Sequence, residues 1–258
     1  ADRPSGRAVS NAVAEDPGSV INSRGASAYL WQWGQFLDHD IDETPVAGGE
    51  AFDIDVPMGD PWFDPMHSGT VKIGMDRSAG DMSSGVREQQ NNITAFIDAS
   101  NVYGSESERA HELRTNDGTG RLKTSPGDLL PYNTAALPNA PTANDPSFFL
   151  GGDIRANEQV GLTAMHTLFV REHNFWADFF AATQPGLTGD EIYERARAVV
   201  AAEMQAITYS EFLPMLLGPN AIPPYQGWQD AVDPSISNEF ATAGYRIGHT
   251  MLNSSLLR

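Results

Sequence analysis

The chain contains no cysteine, which excludes disulfides, thiolate metal ligands and cysteine nucleophiles together. Basic residues are scarce as well: 16 Lys and Arg stand against 34 Asp and Glu, a formal net charge of −18. Binding to phosphate backbones needs clustered Lys and Arg, so no nucleic acid is expected as a partner. No apolar run approaches the ~18–20 residues that span a bilayer, so no transmembrane segment is expected. The first residues, Ala1–Asp2–Arg3–Pro4, lack the apolar h-region of a leader, and the expectation is a mature exported form, secreted or periplasmic. The acidic balance suits such a protein without bearing on its fold. An exported protein free of cysteine is more ordinary in a bacterium than in an animal. Internal repeats and hairpin signals are also lacking. What is left is 258 residues, 40% of them hydrophobic, enough for one large core or two modest ones.

The most unusual stretch is Trp31 to Asp40, WQWGQFLDHD. Read as a helix, it puts Gln35 and His39 one turn apart on one face, with Asp38 beside them and Asp40 roughly 100° further round. Acid–His–acid against a Trp/Phe/Leu face needs partners, because unpaired buried charge is costly.

Residues 1–26 read as a surface arm. A helix is expected from Ser27 to Asp40, broken by Thr44–Pro45 and Gly48–Gly49. Residues 46–90 read as extended and irregular, with a short strand at Gly69–Met75. NITAFIDASNV, from Asn92 to Val102, looks more like a ligand loop than a strand, and a short helix at Ser105–Arg114 follows. Residues 115–147 are rich in Gly, Pro, Asn and Asp and read as a long surface loop or insertion. A long helix is expected over Arg155–Ala182 and another from the capping box Thr188-x-x-Glu191 to Ser210. A last helix, from about Glu239, carries Arg246 and His249. The fold class is therefore mainly α, with long irregular loops and little β-structure.

Three clusters could carry chemistry: Gln35/Asp38/His39/Asp40, the alternating Thr94/Phe96/Asp98/Ser100, and Arg155 with Glu158; His249 is a possible fourth. Each has an ordinary reading beside it. Arg-x-x-Glu is commonly a helical ion pair, T-x-F-x-D-x-S can be an Asx turn, and a lone histidine is usually a satisfied structural residue. His67, His111, His166 and His173 are assigned that way. In the functional reading, the Thr94 and Ser100 hydroxyls, the Asp98 carboxylate and the Phe96 carbonyl are hard oxygen donors of the kind Ca²⁺ takes. The glycine and terminal glutamate of an EF-hand are missing. Asp40 is placed to add a second carboxylate.

WGQFLDHD, TAFIDASNVYGSE, RANEQVGLTAMHTLFVREHN, ITYSEFLPMLLG and YRIGHT occur in this order over residues 31–250. Together they resemble the animal-type haem peroxidases of the peroxidase–cyclooxygenase superfamily. The resemblance implies a haem enzyme that uses H₂O₂, through a ferryl compound I, to oxidise halides, pseudohalides such as thiocyanate, or small organic reductants such as phenols. It implies His39 as the distal acid–base, Arg155 as the distal arginine and Gln35 as the holder of distal water or halide. It further implies His249 as the proximal ligand to haem iron with Arg246 one turn ahead, and Asp38 and Glu158 as the acids that esterify haem methyl groups. Asp40, Thr94, Phe96, Asp98 and Ser100 match the calcium ligands.

Two departures stand out. Some members carry a methionine after the ester-forming glutamate, which makes a third link to haem; here that position is Gln159, so at most two links are expected. The family's catalytic domain is also about twice this length. The 258 residues therefore read as the N-terminal portion of a single peroxidase domain, to be completed by a second chain or further polypeptide carrying the C-terminal half. Two rival readings are a fatty-acid dioxygenase of the same superfamily and a catalytically silent, calcium-stabilised adhesion or matrix protein.

Overall fold

The tryptophan-rich stretch folds as helix α2, Tyr29–Ile41, and ten of its residues, Trp31–Gly34 and Phe36–Ile41, are buried. A helix covered on most sides needs a deep core, and in this computed structural model, which describes residues 3–15, 18, 20–140 and 144–252, the core is built around it. Trp33, Phe36 and Leu37 pack with Leu162, Met165 and Phe169 of α5 (Val160–Thr183) and with Val200 and Met204 of α6 (Gly189–Ile207). Phe36 stacks on Phe169 at 5.1 Å between ring centroids and meets His166 edge-on at 5.0 Å.

Two compact units are formed. One is drawn from the chain before residue 24 and from residues 43–92, the other from residues 24–42 and 93–252. The second carries α2, the short helices α3 (Ser100–Tyr103) and α4 (Ser107–Leu113), α5, α6 and α7 (Leu213–Leu217). The first holds α1 (Gly6–Val13) and three two-stranded antiparallel ribbons: β1 (Val46–Ala51) with β4 (Asp76–Ser78), β2 (Ile54–Asp55) with β3 (Lys72–Ile73), and β5 (Gly80–Asp81) with β6 (Glu88–Gln89). Two buried acids organise it. Asp60 accepts from Arg7 Nε at 2.6 Å, Asn11 Nδ2 at 2.8 Å and the Trp62 and Phe63 amides, and the Arg7 hydrogen bond holds its carboxyl well below the usual range. Asp64 accepts from the Gly69, Ser68 and Gly59 amides, which bring it down to about 2. Gly59 (φ +80°) is required here, because a Cβ would lie 2.7 Å from the His67 ring.

The mainly-α expectation holds, with local corrections. The arm contains α1, begun by Ser5, whose hydroxyl accepts from the Ala8 amide. Short ribbon strands interrupt the irregular stretch 46–90, and the strand expected at 69–75 shrinks to β3. Their pairing was hidden because all but β1 have only two or three residues, which leaves almost no period-2 pattern. The long loop expected at 115–147 stays largely at the surface over its described part but is anchored in the core by Leu122, Leu130 and Leu137. Asn174 clamps the Leu122 backbone, accepting from its amide at 2.8 Å and donating to its carbonyl at 3.0 Å. Residues 141–143 of that expectation lie outside the described residues.

Helix α5 starts at Val160 rather than Arg155. The Gln159 side chain caps it by accepting from the Gly161 amide, and Arg155 and Glu158 fall in the turn before it. That turn is packed tightly on α3, since a Cβ at Gly152 would lie 2.4 Å from the Asn101 carbonyl oxygen. The capping box of α6 is present, but the helix widens into a π-turn at Thr208–Phe212 before α7. Pro214 explains this: it has no N–H for the carbonyl four residues back and its ring would strike it. The last helix is likewise a π-turn, Phe240–Gly244, followed by a 3₁₀ segment, Tyr245–Met251.

Phe36→Ala removes a ring that is fully buried and is expected to cost about 3–5 kcal/mol. The measurement is the urea midpoint; a shift too small to resolve would mean that the α2–α5 contact is not the centre of the core.

Candidate active site

Helix α2 presents Trp31, Gly34, Gln35, Asp38 and His39 to an open cleft. Arg155 and Glu158 line it from the turn before α5, and Arg246 and His249 from the 3₁₀ segment. Residues three apart eclipse in a 3₁₀ helix, which sets Arg246 and His249 on one side. Phe212, Leu216, Ile247, Met251 and Leu252 supply the apolar wall. The seven residues expected to serve haem and peroxide are thus brought to one cleft.

The polar geometry is specific. Arg155 is held by Asp153 through Nε and Nη2, each at 2.8 Å, and donates Nη1 to the Asp42 carbonyl at 3.0 Å. Burial acts to raise the Asp153 carboxyl, but the Arg155 hydrogen bond and charge outweigh it and hold the group at about 2. A fixed guanidinium therefore faces the cleft beside His39, whose Nδ1 lies 3.6 Å from Asp153 Oδ1. Burial, and then the Arg155 charge, push His39 down to about 3, so its imidazole is neutral at ordinary pH. Gln35 donates to Glu158 Oε2 at 3.1 Å and accepts from Gln159 at 3.0 Å.

Asp38 is buried beside the cleft. Its Oδ2 is 4.0 Å from Arg246 Nη1, while nothing among the described residues hydrogen-bonds its Oδ1. Burial raises this carboxyl to about 6, and burial raises Glu158 as well. Two carboxyls biased toward the neutral form, two imidazoles and an apolar wall fit a haem, and a carboxylate with an orphaned buried oxygen is a suitable donor for an ester.

The calcium set is brought together in part. Asp40 Oδ2 accepts from the Asp98 and Ala99 amides, both at 3.1 Å, and Oδ1 from Ser100 Oγ at 3.0 Å and the Asn101 amide at 3.2 Å. Ala99 takes a left-handed φ of 63° to present these groups. Asp98 bonds the Ser100 amide and Thr94 Oγ1 the Phe96 amide, so the loop is built from Asx- and ST-type turns. No hydrogen bond joins Thr94 or Phe96 to Asp40 among the described residues. Burial, together with the nearby Asp98 charge, raises Asp40 to about 7, a strain that a divalent cation between the two carboxylates would relieve. Hydroxyl, carbonyl and carboxylate donors fit Ca²⁺, although among the described residues no three His, Asp or Glu cluster as a metal cage.

Sequence reasoning missed Asp153, Asp42 and Tyr245. Asp153 sits two residues before Arg155, a spacing that resembles an ordinary turn. Tyr245 donates to the Gly34 carbonyl at 2.9 Å, a contact across 211 residues that no local pattern announces. His173 bonds a carbonyl as expected; His166 is fully buried and meets Phe36 edge-on.

The fold is mainly helical, and two imidazoles, a fixed arginine and two perturbed carboxyls line one cleft. The sequence profile of the animal haem peroxidases matches residues 1–258, and the chain belongs to that family, which makes haem its implied cofactor. It is 37% identical to peroxidasin of Drosophila melanogaster over 99% of this chain and 19% of that protein. It is 34% identical to myeloperoxidase of Mus musculus over 99% of this chain and 40% of that protein. Peroxidase A of Dictyostelium discoideum superposes with a TM-score of 0.84 at 28% identity, covering 96% of this chain and 52% of that one. The chain thus spans about half or less of the relatives it matches. No helix among the described residues is long and apolar enough to cross a membrane.

Three buried histidines, His39, His166 and His173, are pushed down to about 3, 4 and 4 by burial. Each binds a proton more readily when unfolded, where the value is ~6.5. Their contribution to stability is therefore present above about 6.5 and lost as pH falls toward 4. At pH 5.5 the ring nitrogens of all three are expected to keep neutral-imidazole NMR shifts; imidazolium shifts there would contradict the burial argument.

Proposed function

We propose that the cleft binds haem and uses hydrogen peroxide to oxidise a halide, thiocyanate or a small phenol. The observation that carries the reading is the pairing, on one cleft wall, of a neutral buried imidazole at His39 with a guanidinium locked by Asp153. When bound, haem supplies the redox centre on which peroxide is reduced. His39 takes a proton from the incoming peroxide and returns it to the departing oxygen, which a neutral imidazole is free to do. Arg155 sets a permanent positive charge where negative charge develops. It needs no reorganisation, because Asp153 and the Asp42 carbonyl already hold its fork. Gln35, tethered between Glu158 and Gln159, orients water or halide at the same face.

In this reading His249 holds the haem iron, Arg246 guards the proximal edge beside Asp38 and Asp42, and Asp38 and Glu158 form ester links. Asp40, Thr94, Phe96, Asp98 and Ser100 hold Ca²⁺. Completion of the proximal side by further polypeptide is part of the same proposal, as is export to the cell exterior or periplasm.

His39→Ala is expected to slow the reaction with peroxide by ~10²-fold or more while haem content is kept, read by stopped-flow absorbance. A Soret band that survives acid-acetone extraction is expected from the ester links; complete extraction would remove Asp38 and Glu158 from that role. Oxygen uptake with linoleate in the absence of peroxide turnover would overturn the peroxidase reading in favour of a dioxygenase. Calcium removal by chelation, or Asp98→Ala, is expected to lower haem retention and peroxide turnover together, because the loop holds Asp40 next to His39. Unchanged Soret absorbance and activity after calcium removal would show that the loop is no tether.

A further inference from the structure

Behind the cleft, α3 ends in a tyrosine that the peroxide chemistry above does not use. Tyr103 and His173 are fully buried and Tyr193 nearly so. The Tyr103 hydroxyl lies 2.9 Å from His173 Nδ1, and His173 Nε2 lies 2.9 Å from the Gly120 carbonyl oxygen. A carbonyl oxygen only accepts, so Nε2 must carry the ring proton. Nδ1 is then a bare lone pair, and the phenol must donate to it. The buried phenol of Tyr103 therefore bonds a base.

The rings form a triangle, with centroids 5.3 Å apart for Tyr103–His173, 5.7 Å for Tyr103–Tyr193 and 5.2 Å for His173–Tyr193. Arg197 lies over the Tyr103 ring at 5.2 Å and Arg114 over Tyr193 at 4.1 Å. A phenol that lost an electron and kept its proton would be a buried cation beneath a guanidinium, which is costly. Loss of the proton with the electron removes that charge from the ring, and His173 is in place to receive it.

The cluster is tied to the cleft at one end and to the surface at the other. Ser100 and Asn101, which open the four-residue helix α3, bond Asp40, the neighbour of His39. The helix rises only ~1.5 Å per residue, so Tyr103 follows within one turn of the residues that bond Asp40. Gly120 and Arg114, which contact His173 and Tyr193, both line a polar surface cleft.

We propose that Tyr103, with His173 as its proton acceptor, is a redox-active tyrosine that draws an oxidising equivalent from the cleft and hands it to one-electron donors that do not enter it. The proposal rests on the peroxidase reading for its oxidant. In the forward step the Tyr103 O–H bond breaks. The electron goes to the peroxide-oxidised haem centre, the proton to His173 Nδ1, and a neutral tyrosyl radical beside an imidazolium is left. An external donor, such as a bulky phenol, then returns one electron while the proton goes back to the oxygen.

The test is electron paramagnetic resonance on the full-length, haem-loaded protein frozen after mixing with H₂O₂, with the optical spectrum recorded in parallel. A tyrosyl signal is expected in the native protein and in Tyr193→Phe, and its loss in Tyr103→Phe. If Tyr103→Phe fails to fold, 3-fluorotyrosine placed at 103 keeps the ring and hydroxyl, and the signal is expected to acquire fluorine hyperfine splitting. A peroxide-induced optical change with no tyrosyl signal, with a signal that survives Tyr103→Phe, or with no fluorine splitting would overturn the proposal. An optical spectrum that ignores peroxide would instead count against the peroxidase reading. A photo-excited ruthenium oxidant then decides on Tyr103 alone: a radical at 103 supports the pair, and a radical only at other tyrosines sinks it.

Discussion

The arrangement depends on one buried carboxylate. Asp40 is fully enclosed and collects four donors from residues 98–101. Its own helix is fixed by the stacking of Phe36 on Phe169, so the carboxylate acts as a peg on which the loop and α3 are hung. Asn101 then donates to the Phe36 carbonyl at 2.8 Å. Gly152 packs against the α3 backbone, and the turn carrying Asp153, Arg155 and Glu158 is carried to the cleft. A lost donor at Asp40 would leave a buried acceptor unsatisfied, which is more costly than the bond itself is worth. The position of His39 is thus inherited from its neighbour.

The cleft places charge selectively. Burial pushes His39 toward its neutral form and Asp38 likewise, in opposite directions of pKa but toward the same absence of charge. Asp153 is as buried as they are, yet it stays ionised because Arg155 clasps it. The outcome is a neutral base next to a permanent cation, with an acid that burial raises to about 6 facing the place where a cofactor would lie. Environment, rather than residue type, separates the two aspartates: one has a guanidinium in bidentate contact and the other has a single long ion pair at 4.0 Å.

The irregular stretch after α4 matters for the same reason. Its backbone at Gly120 and Leu122 is gripped by His173 and Asn174, so adjacent residues of α5 spend their polar groups on a segment with no secondary structure of its own. This gives backbone groups in a buried loop the partners they need and orients His173 toward Tyr103.

Much of this was legible in the chain. Apolar spacing located α5, the capping box at Thr188 and Glu191 located the start of α6, and the resemblance of five motifs to a family named His39, Arg155, Gln35, Asp38, Glu158, Arg246 and His249 as one set with expected roles, without placing them in space. The sequence misled where the deciding contact is distant or the element is short: Arg155 lies in a turn packed on α3 through Gly152, most ribbon strands have only two or three residues, and the segment 120–137, which composition marked as surface, is anchored in the core by Leu122, Leu130 and Leu137. What the sequence determined by itself is the family, the set of candidate groups and most of the helices around them. Only the tertiary structure decided their protonation and their aim, because both depend on burial and on partners tens to hundreds of residues away: the Asp42 carbonyl for Arg155, the 98–101 amides for Asp40, and the Gly120 carbonyl for the tautomer of His173.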